Sequence, residues 1–80
     1  MSDVLTEADC EMDVRGLEFP LPILKAKKAM RDLSHGQVMH VIATDPGSAS
    51  DFPLLCKQTG NELADTFEEN GEFHFYIRKS

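Results

Sequence analysis

The stretch Arg15-Gly16-Leu17-Glu18-Phe19-Pro20-Leu21-Pro22 constrains this chain more than any other. It joins a short apolar run to a strong helical pattern. Proline fixes φ near the helical value and lacks an N–H that the first turn leaves unpaired anyway. The spacing therefore predicts a helix that starts at Pro20 and still holds Pro22 in its first turn. Gly16, just upstream, permits a sharp bend or a close backbone approach. Residue 19 then falls at the mouth of the helix, beside free N–H groups and the positive end of the dipole. A thiolate or a bound anion would be stabilised there. Phe19 occupies the place, and a phenyl ring neither ionises nor binds an anion.

The rest of the pattern follows from that corner. Ile23, Ala26, Met30 and Leu33 recur at spacings of three and four, one face of a helix over residues 20–33. Lys25, Lys28 and Arg31 fall on its other faces, and Lys27 borders the apolar stripe. Gly36 supplies a left-handed stop. Residues 10–14 alternate apolar and acidic, as a short half-buried strand does. Residues 37–44 are almost continuously apolar, interrupted by His40, which predicts a central strand. After the Asp45-Pro46-Gly47 turn, Ser48 and Asp51 stand at capping-box spacing and open a helix that ends near Thr59. Phe52, Leu55, Cys56 and Thr59 share one side of it, and Pro53 predicts a later start or a kink. Residues 62–68 read as a strand with Leu63, Asp65 and Phe67 on one face. Asn70-Gly71 is a hairpin turn, and residues 72–78 alternate Phe73, Phe75 and Ile77 against His74, Tyr76 and Arg78.

The order is βαβαββ. It predicts an α+β two-layer sandwich: a four-stranded mixed sheet with both helices on one face and the other face partly open to water. The first two strands run parallel through a right-handed crossover, and the last two form the hairpin. Residues 1–9 read as a frayed leader and residues 10–80 as one domain.

Eight basic against fourteen acidic residues give a net charge of −6, which argues against direct nucleic-acid binding and against an anionic membrane surface. RNA binding through the open sheet face is opposed by the same balance. No apolar run approaches the roughly 18–20 residues of a membrane span. Residues 1–7 do not resemble a signal peptide. Cys10 and Cys56 form neither a CxxC nor a zinc pattern, which predicts free thiols in a reducing cytoplasm. Cys10 opens the first strand, far from residue 19, and Cys56 reads as a small buried hydrophobe. His35, His40 and His74 lack ligand spacing, so no metal site is expected. Met12, Met30 and Met39 read as core filler.

Asp13-Val14-Arg15-Gly16-Leu17, Pro20-Leu21-Pro22, the Asp45-Pro46 turn, Lys57-Gln58-Thr59-Gly60-Asn61-Glu62 and the closing strand together resemble the TusA/SirA family of small sulfur carriers. The resemblance covers almost everything after the leader. It implies a compact βαβαββ sandwich whose cysteine, just before the first proline, accepts sulfane sulfur and holds it as a persulfide. Such proteins pass sulfur on in tRNA thiolation, cofactor assembly or sulfur oxidation. The implied partners are proteins: a sulfur donor such as a cysteine desulfurase, and a downstream acceptor. No cofactor is implied, because the sulfur is held covalently. The physics agrees with that role. A helix N-terminus lowers a thiol's pKa, and two prolines stiffen the presenting turn and limit the entropy lost on docking.

Phe19 stands where the family has its cysteine. Around it, Arg15, Gly16, Leu17, Pro20, Pro22, Lys25 and Lys28 are the residues expected to meet partners. Arg15 can pair with an acid at the bend or hold an anionic sulfur, and the lysines can steer an acidic partner. Two readings stand at this point. One is a sulfur-relay protein without its acceptor cysteine, which leaves sulfurtransferase activity open. The other is a non-catalytic binding or regulatory module in which Phe19, with Leu17 and Leu21, forms an apolar anchor.

Overall fold

Six elements follow one another in the expected order: β1 (Cys10–Val14), α1 (Leu21–Arg31), β2 (Val38–Ala43), α2 (Ser48–Thr59), β3 (Glu62–Glu69) and β4 (Glu72–Arg78). The computed structural model describes residues 8–80. The leader expected over residues 1–9 therefore lies largely outside the described residues. Asp9, at its end, is tied to β2: its N–H donates to the Val38 carbonyl at 2.7 Å, and its carboxylate accepts the Val38 N–H at 2.8 Å.

The sheet order is β1-β2-β4-β3. β1 runs parallel to β2, with Cys10 opposite Met39 and Val14 opposite Ala43. β4 lies antiparallel to both β2 and β3. β2 is thus central, flanked by a strand on each side, and every one of its residues except Ile42 is buried, in keeping with its nearly continuous apolar run. Asn70 and Gly71 both adopt positive φ, as a tight hairpin turn of matching twist demands.

The core lies between the sheet and the two helices. Val14, Met39, Val41, Phe75 and Ile77 rise from the sheet to meet Ala26 and Met30 of α1 and Phe52, Leu55 and Cys56 of α2. Phe52 and Phe75 stack at 4.7 Å between ring centres. Replacing either with alanine would cost about 3–5 kcal/mol, the usual range for a buried aromatic ring.

The structure departs from the sequence reading in four places. Helix α1 starts at Leu21, with Pro20 as its N-cap and Pro22 in the first turn, and it ends at Arg31 rather than Leu33. There the amides of Asp32 and Leu33 turn to carbonyls three residues back and close the helix early. Gly36, with φ +87°, therefore does not end the helix; its N–H donates to the Lys79 carbonyl. Helix α2 begins at Ser48 despite Pro53, and the expected capping box is absent: Gly47 is the N-cap, and the Ser48 N–H donates to the Asp45 carbonyl.

The last difference is in β3. The register slips between Leu63 and Asp65, so Leu63 pairs with Ile77 above the core while Asp65 and Phe67 pair with Tyr76 and His74 on the other face. An extra residue in one strand reverses the alternation beyond it. Leu63 and Phe67 were expected to share a face, and they do not.

Candidate functional site

The corner before α1 is held by four local interactions. Gly16 takes φ +81°, a region closed to most side chains, and its N–H donates to Thr44 Oγ1 at 2.8 Å. Leu17 donates its N–H to the Val14 carbonyl and packs against the core. Leu21 donates its N–H to the Glu18 carbonyl at 2.9 Å. Phe19 donates its N–H to Asp45 Oδ2 at 3.3 Å. The β1–α1 turn thus hangs on Thr44 and Asp45, the two residues that follow β2.

Phe19 is presented, not packed away: 66% of its surface is exposed. Its ring borders a shallow cleft of about 140 Å³ between the helices, which Ile23, Lys27, Asp51 and Leu54 also line. Leu21, Leu24 and Leu54 are exposed as well, so residue 19 belongs to an apolar surface at the amino end of α1.

The electrostatics of the corner are narrower than the sequence suggests. Of the first-turn amides, Leu21's is already bonded to Glu18, and Pro20 and Pro22 have none. Among the described residues, only the Ile23 N–H is left unpaired in that turn. An anion held beside residue 19 would meet the helix dipole and one free amide, not a fan of them. Lys27 is the cation on the cleft, and Asp45 and Asp51 bring negative charge to the same region.

The remaining expected residues divide. Arg15 lies at the bend, but its guanidinium is engaged elsewhere: Nη2 and Nε bond both oxygens of Asp13 at 2.7 and 2.9 Å, and Nη1 reaches Glu72 Oε2 at 3.1 Å. This is the pairing with an acid at the bend. Hydrogen bonds from Arg15 hold the Asp13 carboxyl well below its ordinary range, at about 2. Pro22 is buried in the first turn of α1. Pro20, Lys25 and Lys28 are exposed, and Lys28 stands in the last turn of α1, where a cation suits the dipole.

Neither thiol lines the cleft at residue 19. Cys10 starts β1, at the end of the strand away from the corner, and burial, then the Asp9 carboxylate, push its pKa up. Cys56 is buried in the core on α2, and desolvation pushes its pKa up. Both are free.

Thr44, Asp45 and the Glu72 partner of Arg15 carry no site signal in the sequence beyond the Asp45-Pro46 turn, which marks a change of direction and not a contact with residue 19. Among the described residues no group of three or more metal-ligating side chains converges, and no helix is long and apolar enough to cross a membrane.

Comparison with known proteins agrees with the motif. The profile of the family described as "Sulfurtransferase TusA" matches residues 11–79. The sulfur carrier protein TusA of Allochromatium vinosum is 58% identical over 95% of this chain and all of its own length. The protein of the same name from Pseudomonas entomophila is 39% identical over 99% of this chain and 96% of its own. Among solved structures, a SirA-like protein from Desulfitobacterium hafniense superposes with a TM-score of 0.77 at 24% identity, covering 86% of this chain and 95% of that one, and so shares the fold. The chain belongs to the TusA family of sulfur-carrier proteins, which work in sulfur relay with protein partners.

Proposed function

We propose that this protein is built to present residue 19 to a sulfur donor and then to a sulfur acceptor, and that with phenylalanine there it meets those partners without carrying sulfur itself. The observation that supports this is the exposure of Phe19 at the proline-stiffened mouth of α1, in a chain of the TusA family. In the relay step a thiolate attacks the terminal sulfur of a donor persulfide. The donor leaves as a thiolate, and the attacking residue becomes the persulfide. Phe19 offers no nucleophile for that attack, while the turn, the dipole and the apolar surface around it are in place. The donor in this reading is a cysteine desulfurase, the compartment is the cytoplasm, and Pro20, Leu21 and the α1 lysines form the partner-facing surface.

The test is F19C. Incubated with a cysteine desulfurase and cysteine, F19C should gain the mass of one sulfur atom at residue 19, while the unaltered chain gains none. Uptake by Cys10 or Cys56 in the unaltered chain would show that another thiol carries the sulfur. An inert F19C that still folds would show that the corner no longer serves the relay.

A further inference from the structure

The sheet face that the helices leave uncovered differs in charge and chemistry from the corner at Phe19. Strand pairing puts Glu11, Asp13, Glu62, Asp65, Glu69 and Glu72 on that side. Two cations share it, Arg15 and Arg78, and both are already ion-paired within it, to Asp13 and Glu72 and to Glu62. Six carboxylates against two guanidinium groups leave a formal −4 there, two thirds of the chain's −6. The other six cations, Lys25, Lys27, Lys28, Arg31, Lys57 and Lys79, lie on or beside the helices. The open face therefore holds most of the chain's net negative charge, while most of its cations lie on the helical layer.

The acidic face carries a cluster of four flat rings, with Phe67 on β3, His74 and Tyr76 on β4 and His40 on β2. Phe67 lies 4.4 Å from His74 at 7°, His74 5.1 Å from His40 at 20°, and His40 4.3 Å from Tyr76 at 2°. The cluster is locked in place: His40 Nε2 and His74 Nδ1 are 2.9 Å apart, and His40 Nδ1 is 3.2 Å from Glu11 Oε2. Phe67, at the rim, is 41% exposed. Burial raises the Tyr76 pKa, and the Glu11 and Asp65 carboxylates add to it, so both charges converge on the cluster.

A rigid aromatic cluster with Phe67 exposed at its rim, beside carboxylates in excess over the cations, matches one side chain best. A guanidinium stacks flat on rings and forks to carboxylates, whereas an ammonium is a compact, strongly hydrated point charge. We infer that the open face of the sheet is a second docking surface, which takes an arginine-bearing segment of a partner protein on the Phe67–His74–His40–Tyr76 cluster. It lies on the layer opposite the helices, so it does not depend on the relay reading of residue 19.

The test uses the full chain, isotope-labelled for NMR, titrated with hexa-arginine, hexa-lysine and hexa-glutamate peptides. The expected result is saturable shifts on β2, β3 and β4 around Phe67, His74 and Tyr76, with hexa-arginine at least fivefold tighter than hexa-lysine and hexa-glutamate inert. F67A, and separately the isosteric E11Q/D65N pair, should each weaken hexa-arginine at least fivefold while the spectrum stays that of the folded protein. Equal affinity for arginine and lysine, shifts centred elsewhere, or folded variants that bind as tightly as the parent would overturn the inference.

Discussion

The Phe19 amide and the Asp45 carboxylate are 3.3 Å apart, and this bond ties the presenting turn before α1 to the loop that leads into α2. Two segments separated by a helix and a strand therefore set where residue 19 sits. The bond is exposed, so its net contribution to stability is small, about 0.5–1.5 kcal/mol. Its local effect is larger. In D45A the Phe19 amide should exchange with solvent faster, while amides of β2 and β4 keep their protection. Hydrogen exchange resolved by residue checks this, and an unchanged Phe19 amide would show that Asp45 does not hold the turn.

The same carboxylate bears on any acid placed at residue 19. A thiol there gains from the dipole of α1 and loses from negative charge nearby. In the F19C background, D45N should therefore lower the thiol pKa by removing a like charge beside the thiolate. The ultraviolet absorbance of the thiolate followed against pH measures it. A rise instead would mean that Asp45 acts through the turn's geometry more than through its charge.

Asp13 and Arg15 give a pH dependence with a defined sign. Arg15 holds the folded Asp13 carboxyl at about 2, below its ordinary value of 3.8. A lowered folded pKa means that the pair's contribution is complete above the unfolded value and fades as pH falls from there through about 2. Both groups are solvent-exposed, so the contribution is modest and salt weakens it. Carboxyl NMR of the parent should show Asp13 titrating near the lower value, and R15Q should return it toward the ordinary one. No change in R15Q would assign the depression to other causes.

How far the sequence disclosed this depends on the range of the forces involved. The two faces of β4 and the stripe on α1 are local matters of side-chain type, and periodicity reads them directly. The bulge at Ala64 is not local. Phe67 could follow Leu63 toward the core by alternation, but it stacks instead on His74, a residue across the hairpin. Pro53 does not delay the start of α2, because a proline in the second turn removes a single bond, to Ala49, while Phe52, Leu55 and Cys56 still bury the helix's inner side. At the site, the prolines marked residue 19. Its supports did not show, because Thr44, Asp45 and Glu72 reach the corner from 26 to 57 residues away in sequence.

The two native thiols should be poor nucleophiles, and this separates them from residue 19. Desolvation raises Cys56, and burial with the Asp9 charge raises Cys10. Each therefore holds less thiolate at neutral pH than a free cysteine, and the thiolate is the reactive form. Alkylation of the folded parent should be slow at both, slowest at Cys56, where burial also blocks access. The rate should climb with pH and level off only above the point where free cysteine does. In F19C one additional thiol should react roughly tenfold faster than either, as a thiol at a helix N-terminus does. A plateau for Cys10 below that of free cysteine would mark it as an activated thiol and reopen it as a sulfur acceptor.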